Sequence, residues 1–185
     1  MPDFLISPCL QPNGNCHLPG VVCKSYTKNT RFGICDDPQP STTPAYIKLY
    51  HPDDWIATIN NPAAKNIMFK AIDNCVPLIR VNGEPESRCD GLLEFEGNLI
   101  FIELKDRDSK GWLSKGRQQL TITIRAFVAN HNKDDFNWQF GYVCNKQRPL
   151  AVTGINTEVQ TFKDETSVIL GNRGLLLKAE RTITI

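Results

Sequence analysis

Asp90, Glu103 and Lys105 are residues whose types and spacing suit chemistry on a negatively charged substrate. Two neighbouring carboxylates repel each other, and their association becomes favourable when a hard cation such as Mg²⁺ binds between them. A lysine beside such a cation can polarise a water molecule or balance negative charge in a transition state. These three residues therefore predict a metal-dependent site, provided that the chain brings them onto one surface.

A β-hairpin is the element that has to position them. The apolar segments 89–95 and 99–104 are separated by Glu96-Gly97-Asn98, which is typical of a hairpin turn. Because side chains alternate between the two faces of a strand, Glu103 and Lys105 project from the same face. Both faces of the hairpin are largely apolar, which predicts inner strands covered by helices on both sides.

The length of the turn decides whether Asp90 joins that face. A two-residue loop of Glu96-Gly97 sets Asp90 opposite Glu103, and a two-residue loop of Gly97-Asn98 sets it opposite Lys105. A three-residue loop would instead place Asp90 and Glu103 on opposite faces of the sheet. The predicted site therefore requires an even number of loop residues.

At Arg88-Cys89-Asp90-Gly91 and Glu103-Leu104-Lys105 the sequence resembles the PD-(D/E)xK superfamily, the fold shared by restriction endonucleases, archaeal Holliday-junction resolvases and RecB-type nucleases. The resemblance covers roughly residues 61–145. It implies that Asp90 and Glu103 bind Mg²⁺ or Mn²⁺ and that Lys105 assists the attacking water. It also implies that a glutamine of the following helix completes the site, with Gln119 as the first candidate and Gln118 as the second.

Two departures accompany the resemblance. Cys89 stands where many members have a proline before the first acid, and the segment 62–74 contains no glutamate to match the acid that many members supply from their first helix. Only Asp73, near the end of that segment, is acidic.

The resemblance implies hydrolysis of phosphodiester bonds, with DNA as the expected substrate and restriction, repair or defence against mobile elements as the expected role. Basic residues outnumber acidic ones between Lys105 and Gln119, so a nucleic-acid-binding surface is predicted there, with Trp112 stacking on an exposed base. Its residues are Arg107, Lys110, Trp112, Lys115 and Arg117. The alternative is a solvated loop with Trp112 covering the edge of the core.

The predicted fold is α/β, with a restriction-endonuclease-like core in which helices flank a central mixed sheet. Asn61 and Pro62 predict the start of a helix that continues through residue 74. A second helix is predicted to end near residue 130, although residues 120–126 also alternate as a strand would. Further strands are predicted at 77–81, 137–145, 167–170 and 175–185.

The first 45 residues form a predicted Cys-rich segment and linker, preceding a nuclease-like domain at 46–185. Four cysteines in this segment predict one structural zinc ion: Cys9, Cys16, Cys23 and Cys35. Their spacing contains no C-x2-C pair, so disulfides, an iron–sulfur cluster and free thiols remain alternatives. Residues 36–45 contain three prolines, which predicts the linker.

Composition narrows the class of protein without identifying a partner. Hydrophobic residues make up 41% of the 185 residues and the net charge is +1, which neither requires nor excludes binding to nucleic acid. No apolar run is long enough to cross a bilayer, and the amino terminus lacks a signal-peptide pattern. A cytoplasmic protein is expected, and a homodimer is compatible with the sequence. A catalytically inactive binding module on the same fold and a zinc-bearing interaction protein are the alternative functions.

Overall fold

The computed structural model describes residues 23–38, 40–108, 110–147, 154–171 and 173–185. Within these ranges the chain forms two β-sheets and two α-helices, so the predicted mixed α/β class is confirmed. The strands are β1 (Lys24–Thr27), β2 (Arg31–Cys35), β3 (Tyr46–Lys48), β4 (Ala57–Asn60), β5 (Ile67–Ala71), β6 (Gly91–Phe95), β7 (Asn98–Lys105), β8 (Asn137–Asn145), β9 (Leu176–Lys178) and β10 (Thr182–Thr184). The helices are α1 (Trp112–Val128) and α2 (Ile155–Leu170).

The larger sheet has six strands in the order β1-β5-β6-β7-β8-β9. Strands β1, β5, β6 and β7 pair antiparallel, whereas β8 runs parallel to both β7 and β9. The parallel step from β7 to β8 needs a crossover connection, which α1 supplies. The predicted strand at 137–145 is confirmed as β8.

The smaller sheet has four strands in the order β10-β4-β2-β3. Its strand β2 pairs antiparallel with β3 and β4, while β10 returns from the carboxyl-terminal part of the chain to pair parallel with β4. Strand β2, which precedes residue 45, thus pairs with strands that follow it. Strand β1 also precedes residue 45 and pairs with β5 in the larger sheet, so each sheet combines strands from both parts of the chain. Residues 36–38 and 40–45 contain no helix or strand.

The six-stranded sheet is covered on both faces, as the apolar hairpin predicted, but only one face is covered by helices. Leu92 and Phe101 pack with α1 and α2 in one core cluster, and Leu93 and Ile102 pack with the smaller sheet in the other. The expectation of helices on both sides was therefore wrong. Inner strands need apolar cover on each face, and a second sheet provides it as well as a helix does.

The hairpin between β6 and β7 has the first of the two even registers. Phe95 pairs with Asn98 and Gly91 pairs with Ile102, so Glu96-Gly97 is the loop. Both loop residues have positive φ angles, 50° at Glu96 and 76° at Gly97, as a type I′ turn requires. The predicted helix after the hairpin is confirmed as α1, and its alternative as a strand was wrong.

The helix predicted at 61–74 was wrong, because residues Ile67–Ala71 form the inner strand β5, which is buried along its whole length. The Asn61 side chain does not cap a helix. Its Oδ1 accepts a hydrogen bond from Lys65 N and its Nδ2 donates to Lys65 O, which closes a loop. Ala64 has a φ angle of 50°, outside the helical region. Pairing with β1 and β6 therefore outweighs the local helix signal.

Three weaker strand predictions had different outcomes. Residues 167–170 are the last turn of α2, so a strand there was wrong; Phe162, Thr166 and Leu170 are buried at helical spacing. Residues 77–81 contain only an isolated bridge from Ile79 to Pro85. Residues 175–185 do contain two short strands, β9 and β10. None of the described helices is long and apolar enough to span a membrane.

Two of the four cysteines in the predicted zinc set lie within the described residues. Cys23 forms a disulfide with Cys75, so its sulfur is not available as a zinc ligand in this structure. Cys35 is a buried free thiol that donates to the carbonyl of Asp54 at 3.5 Å. Cys9 and Cys16 lie outside the described residues. A disulfide is typical of oxidising compartments, and the cytoplasmic location stays a prediction.

Candidate active site

The open end of the β6–β7 hairpin brings together the residues that the sequence singled out. Asp90 immediately precedes β6, and its Oδ2 accepts a hydrogen bond from the backbone N–H of Leu104 at 2.5 Å. Its carbonyl accepts from the N–H of Ile72 at 2.8 Å, which fixes the chain as it enters β6. Asp90 is 7% exposed and Glu103 is 1% exposed. Both carboxyl groups are thus held in a largely dry environment at the same end of the hairpin.

Lys105 links the acidic residues to helix α1. Its Nζ forms an ion pair with Glu103 Oε1 and donates to Gln119 Oε1 at 2.9 Å. The Gln119 amide is itself fixed, because its Nε2 donates to the carbonyl of Arg88 at 2.9 Å. Of the two glutamines considered, Gln119 is the one that faces Lys105, and Gln118 is exposed.

Helix α1 approaches the strands closely at Gly116. A Cβ atom at this position would lie 2.7 Å from Val143 Cγ1 and 3.3 Å from Glu103 Cγ, so only glycine permits this packing without displacement of the neighbours. Two turns further on, Thr123 Oγ1 accepts a hydrogen bond from the backbone N–H of Cys89 at 2.8 Å. The helix therefore supports the strand entrance and also supplies Gln119.

Two further acids lie near this site from elements that the sequence did not connect with it. Asp73 follows β5 and forms an ion pair with Arg88 Nε at 2.8 Å. Asp36 follows β2 of the smaller sheet; the charge of Asp73 raises the pKa of Asp36, and the charge of Asp36 raises the pKa values of Asp90 and Glu103. We call Asp36, Asp73, Asp90 and Glu103 the carboxylate cluster. The sequence contains no local pattern that marks Asp36, because only the packing of the two sheets brings it to the hairpin.

Burial and the charges of neighbouring acids raise the pKa values of Asp36, Asp90 and Glu103. Burial, together with the charges of Asp73 and Asp36, raises the pKa of Glu103 to about 7, although Lys105 opposes the shift. Burial and the Glu103 charge raise the pKa of Asp90 well above its ordinary value, against the opposing effects of the Leu104 N–H and Lys105. Burial and the charge of Asp73 likewise raise the pKa of Asp36 to about 6. The cluster is therefore an unfavourable place for negative charge unless a cation joins it.

The donor groups at the site fit a hard divalent cation. Glu103 Oε2 is buried and has no hydrogen-bond partner within the described part of the chain, so one carboxylate oxygen is available to a ligand. No three His, Cys, Asp or Glu side chains among the described residues are grouped closely enough to hold a metal ion by themselves. Mg²⁺ commonly binds to one or two carboxylates and completes its shell with water and substrate phosphates. Asp90 and Glu103 are the two residues that would hold it.

A cavity of about 330 Å³ opens beside the site. Its lining comes from the connector after β2 and from the end of β7 and the residues that follow: Asp36, Asp37, Pro38, Ile56, Leu104, Lys105, Asp106 and Arg107. The cavity thus connects Lys105 with solvent and separates the hairpin from the connector.

The predicted nucleic-acid-binding residues fall into two groups. Arg107, Lys110 and Lys115 are exposed around the start of α1. Trp112 is only 7% exposed and packs in the core on the helical side of the sheet, so it does not offer a ring face to a base. Of the two interpretations of Trp112 given above, its position agrees with the one in which it covers the core.

Arg117 is also directed inward and is 7% exposed. Its guanidinium pairs with Glu158 and Glu165 of α2, at 2.7 Å and 2.5 Å. It therefore ties the two helices together and is not available to a phosphate. The reason is positional: Arg117 lies on the side of α1 that faces α2, which the sequence of α1 alone does not reveal.

Comparisons with known proteins add no assignment: no family model, no curated protein and no solved structure matches this chain.

Proposed function

We propose that this protein is a metal-dependent nuclease that hydrolyses phosphodiester bonds, with DNA as the expected substrate. The observation that carries the proposal is that the buried Asp90, Glu103 and Lys105 meet at one end of the β6–β7 hairpin, where Gln119 contacts Lys105. Asp90, Glu103 and Lys105 carry the resemblance to PD-(D/E)xK nucleases, and that resemblance also implies a glutamine on the following helix, the position that Gln119 has.

Each residue has a role that follows from its contacts. Asp90 and Glu103 would hold Mg²⁺ or Mn²⁺, which neutralises charge on the scissile phosphate and lowers the pKa of a bound water. Lys105, held between Glu103 and Gln119, presents a positive charge that can orient the attacking water and stabilise the negative charge developing on phosphorus-bound oxygens. Gln119, itself anchored to the Arg88 carbonyl, fixes the Lys105 ammonium group.

Exposed basic residues are the evidence that favours an extended anionic substrate such as a nucleic acid. Arg107 lines the cavity that reaches Lys105, and Lys110 and Lys115 are exposed nearby in the chain; all three can contact the sugar–phosphate backbone. Contacts of this kind give affinity without sequence selectivity.

The test is a cleavage assay on plasmid, single-stranded and branched DNA and on RNA, with Mg²⁺ or Mn²⁺. We expect Asp90→Asn to lower the cleavage rate at least about 100-fold, because it removes a charged ligand that neutralises the transition state. Asp106→Asn is the matched control, since Asp106 is exposed and follows Lys105 directly. Cleavage by Asp90→Asn at the wild-type rate would refute the assignment.

A non-catalytic binding module is the second candidate, because the described residues do not supply three acids grouped around one ion. It predicts that the wild-type protein binds a labelled oligonucleotide in fluorescence anisotropy but cleaves none of the substrates.

A further inference from the structure

A second cavity, of about 370 Å³, lies on the smaller sheet. Strand β2 turns Phe32 toward the core, so Arg31 projects from the opposite face of the sheet. Thr58 of β4 pairs with Gly33 on one side and with Thr182 on the other, so this face extends across three strands. The described lining of the cavity contains no residue of the candidate active site and consists of Arg31, Pro52, Asp53, Thr58, Arg181 and Thr182.

Both arginines of this cavity are held in place through Trp55. The Arg31 guanidinium lies over the Trp55 ring, with its central carbon 5.7 Å from the ring centroid. Arg181 Nη2 donates a hydrogen bond to the Trp55 carbonyl. Trp55 is itself buried, and its ring packs directly on Gly33, where a Cβ atom would lie 1.9 Å from Trp55 Cγ. The two guanidinium groups are therefore oriented before any ligand binds, which lowers the entropy cost of binding.

The charges that line the cavity do not balance. Within the described part of the chain, no ion pair involves Arg31 or Arg181. Asp53 is the one acid of the lining, and it pairs with neither arginine. The lining thus carries two positive charges and one negative charge, so a ligand with one negative charge would neutralise it.

An unsatisfied donor at Arg181 points independently to a ligand. Arg181 Nε is buried and has no hydrogen-bond partner among the described residues. A guanidinium has five N–H donors, and the Trp55 carbonyl is the one acceptor that the described residues offer to that of Arg181. Buried donors nearly always have an acceptor, because the loss of hydration is otherwise uncompensated. An oxyanion in the cavity would supply acceptors to this guanidinium.

We propose that this cavity is a phosphate-binding site, in which Arg31 and Arg181 bind the phosphate oxygens and Thr182 adds a hydroxyl donor. A guanidinium presents paired N–H donors that match two phosphate oxygens, and a tetrahedral phosphate offers oxygens to donors in several directions. The excess of one positive charge equals the charge of one phosphodiester group, so a nucleic-acid backbone is the expected source of the phosphate. The site shares no residue with the candidate active site and does not depend on the proposed catalysis.

The experiment follows the arginine Nε–H signals of the full-length, ¹⁵N-labelled protein by NMR during a titration with sodium phosphate at constant ionic strength. Sodium chloride serves as the control titration. We expect the signals of Arg31 and Arg181 to shift saturably with phosphate and not with chloride. Arg31→Gln should raise the Kd for phosphate about tenfold, because it removes charge-assisted hydrogen bonds. Arg31 is exposed, so this variant should keep the fold, which circular dichroism verifies.

Two variants separate specific binding from a general effect of charge. Arg80→Gln makes the same change of charge at an exposed arginine that pairs with Glu84 and Glu86 and is not part of this cavity, so it should leave the Kd for phosphate unchanged within about twofold. Asp53→Asn should lower the Kd about threefold, because it removes the negative charge of the lining. A loss of fold could only raise the Kd.

The source of the phosphate is tested with a labelled single-stranded oligonucleotide in fluorescence anisotropy without divalent cations. If Arg31→Gln weakens oligonucleotide binding and Arg80→Gln does not, the nucleic-acid backbone is the source. If Arg31→Gln weakens the binding of inorganic phosphate alone, the phosphate-binding site stands and its ligand is a free phosphate group.

Two results would overturn the inference. One is a wild-type protein whose Arg31 and Arg181 signals do not respond to tens of millimolar phosphate, and the other is an Arg80→Gln variant that loses as much affinity as Arg31→Gln. Neither result bears on cleavage at Asp90 and Glu103. Conversely, a protein that binds phosphate in this cavity but cleaves no nucleic acid would refute the nuclease proposal alone.

Discussion

Replacing Glu103 with glutamine should stabilise the metal-free protein at pH 8. Glutamine has nearly the same shape as a protonated glutamate, and it can still accept a hydrogen bond from Lys105. The substitution therefore removes the negative charge that burial and the neighbouring acids make unfavourable, while the packing beneath Gly116 is retained.

The magnitude follows from the pKa of Glu103, which rises from 4.5 to about 7 in the folded protein. Because the folded state holds this proton more tightly, the metal-free protein loses stability as the pH rises through the window from 4.5 to about 7. At about 1.4 kcal/mol per pKa unit, the full loss is about 3 kcal/mol, and it is complete near pH 8. Glu103 is 1% exposed, so solvent screening hardly reduces this value.

The assay is urea unfolding in EDTA at pH 5 and pH 8, followed by tryptophan fluorescence. We expect Glu103→Gln to be more stable than the wild type by about 3 kcal/mol at pH 8, which is a large part of the total stability of a typical domain. At pH 5 the difference should fall below about 1 kcal/mol, because Glu103 is then mostly protonated in the folded wild type. The measurement at pH 5 is the internal control.

Two results would refute this reasoning. A Glu103→Gln variant that is less stable than the wild type at pH 8 in EDTA would mean that the Glu103–Lys105 ion pair outweighs the cost of burial. A gain of equal size at both pH values would mean that the stabilisation does not come from the charge. Addition of Mn²⁺ should reverse the order at pH 8, since only the wild type gains binding free energy from the ion.

Two further predictions concern basic residues of β7 and α1. Lys105→Met should lower the single-turnover cleavage rate at least about 100-fold, because it removes a charge that acts on the reacting groups. It should not raise the Kd for Mn²⁺, since both carboxylates stay in place. An unchanged cleavage rate would exclude Lys105 from catalysis. Arg117→Met should destabilise the fold by about 2 kcal/mol in urea unfolding, because Glu158 and Glu165 lose a partner that is 7% exposed. Lys115 is exposed and two residues away, so Lys115→Met should change the stability by less than about 0.5 kcal/mol and should instead weaken oligonucleotide binding. A larger loss of stability in Lys115→Met than in Arg117→Met would contradict the positions assigned to these two side chains.

Features set by local physics could be predicted from the sequence. The alternation of side chains along a strand and the two-residue turn at Glu96-Gly97 are enough to set Asp90 against Glu103, and the structure has that register. The periodicity of the α1 segment fitted both a helix and a strand, and its length and the family resemblance favoured the helix that the structure has. The strand β8 was predicted over the residues that it occupies.

Features set by contacts between distant segments could not be predicted in this way. Residues 67–71 became the strand β5 because β1 and β6 offer backbone partners on both sides, which outweighs the helix signal at Asn61-Pro62. Trp112 and Arg117 were expected at the surface, and the packing of α1 against the sheet and α2 buries them. Burial depends on which elements meet, and the pattern of one helix does not contain that information.

The carboxylate cluster shows both contributions in one site. The sequence by itself determined that Glu103 and Lys105 share one face and that Asp90 joins them when the loop has an even number of residues, which is the register that the structure has. Only the tertiary structure decided that Asp36 lines a cavity with Lys105, that Gln119 reaches Lys105 across 2.9 Å and that Glu103 Oε2 is buried without a donor. The physical reason is that dielectric environment and charge balance depend on every group within several ångströms, and tertiary packing brings those groups together from separate parts of the chain.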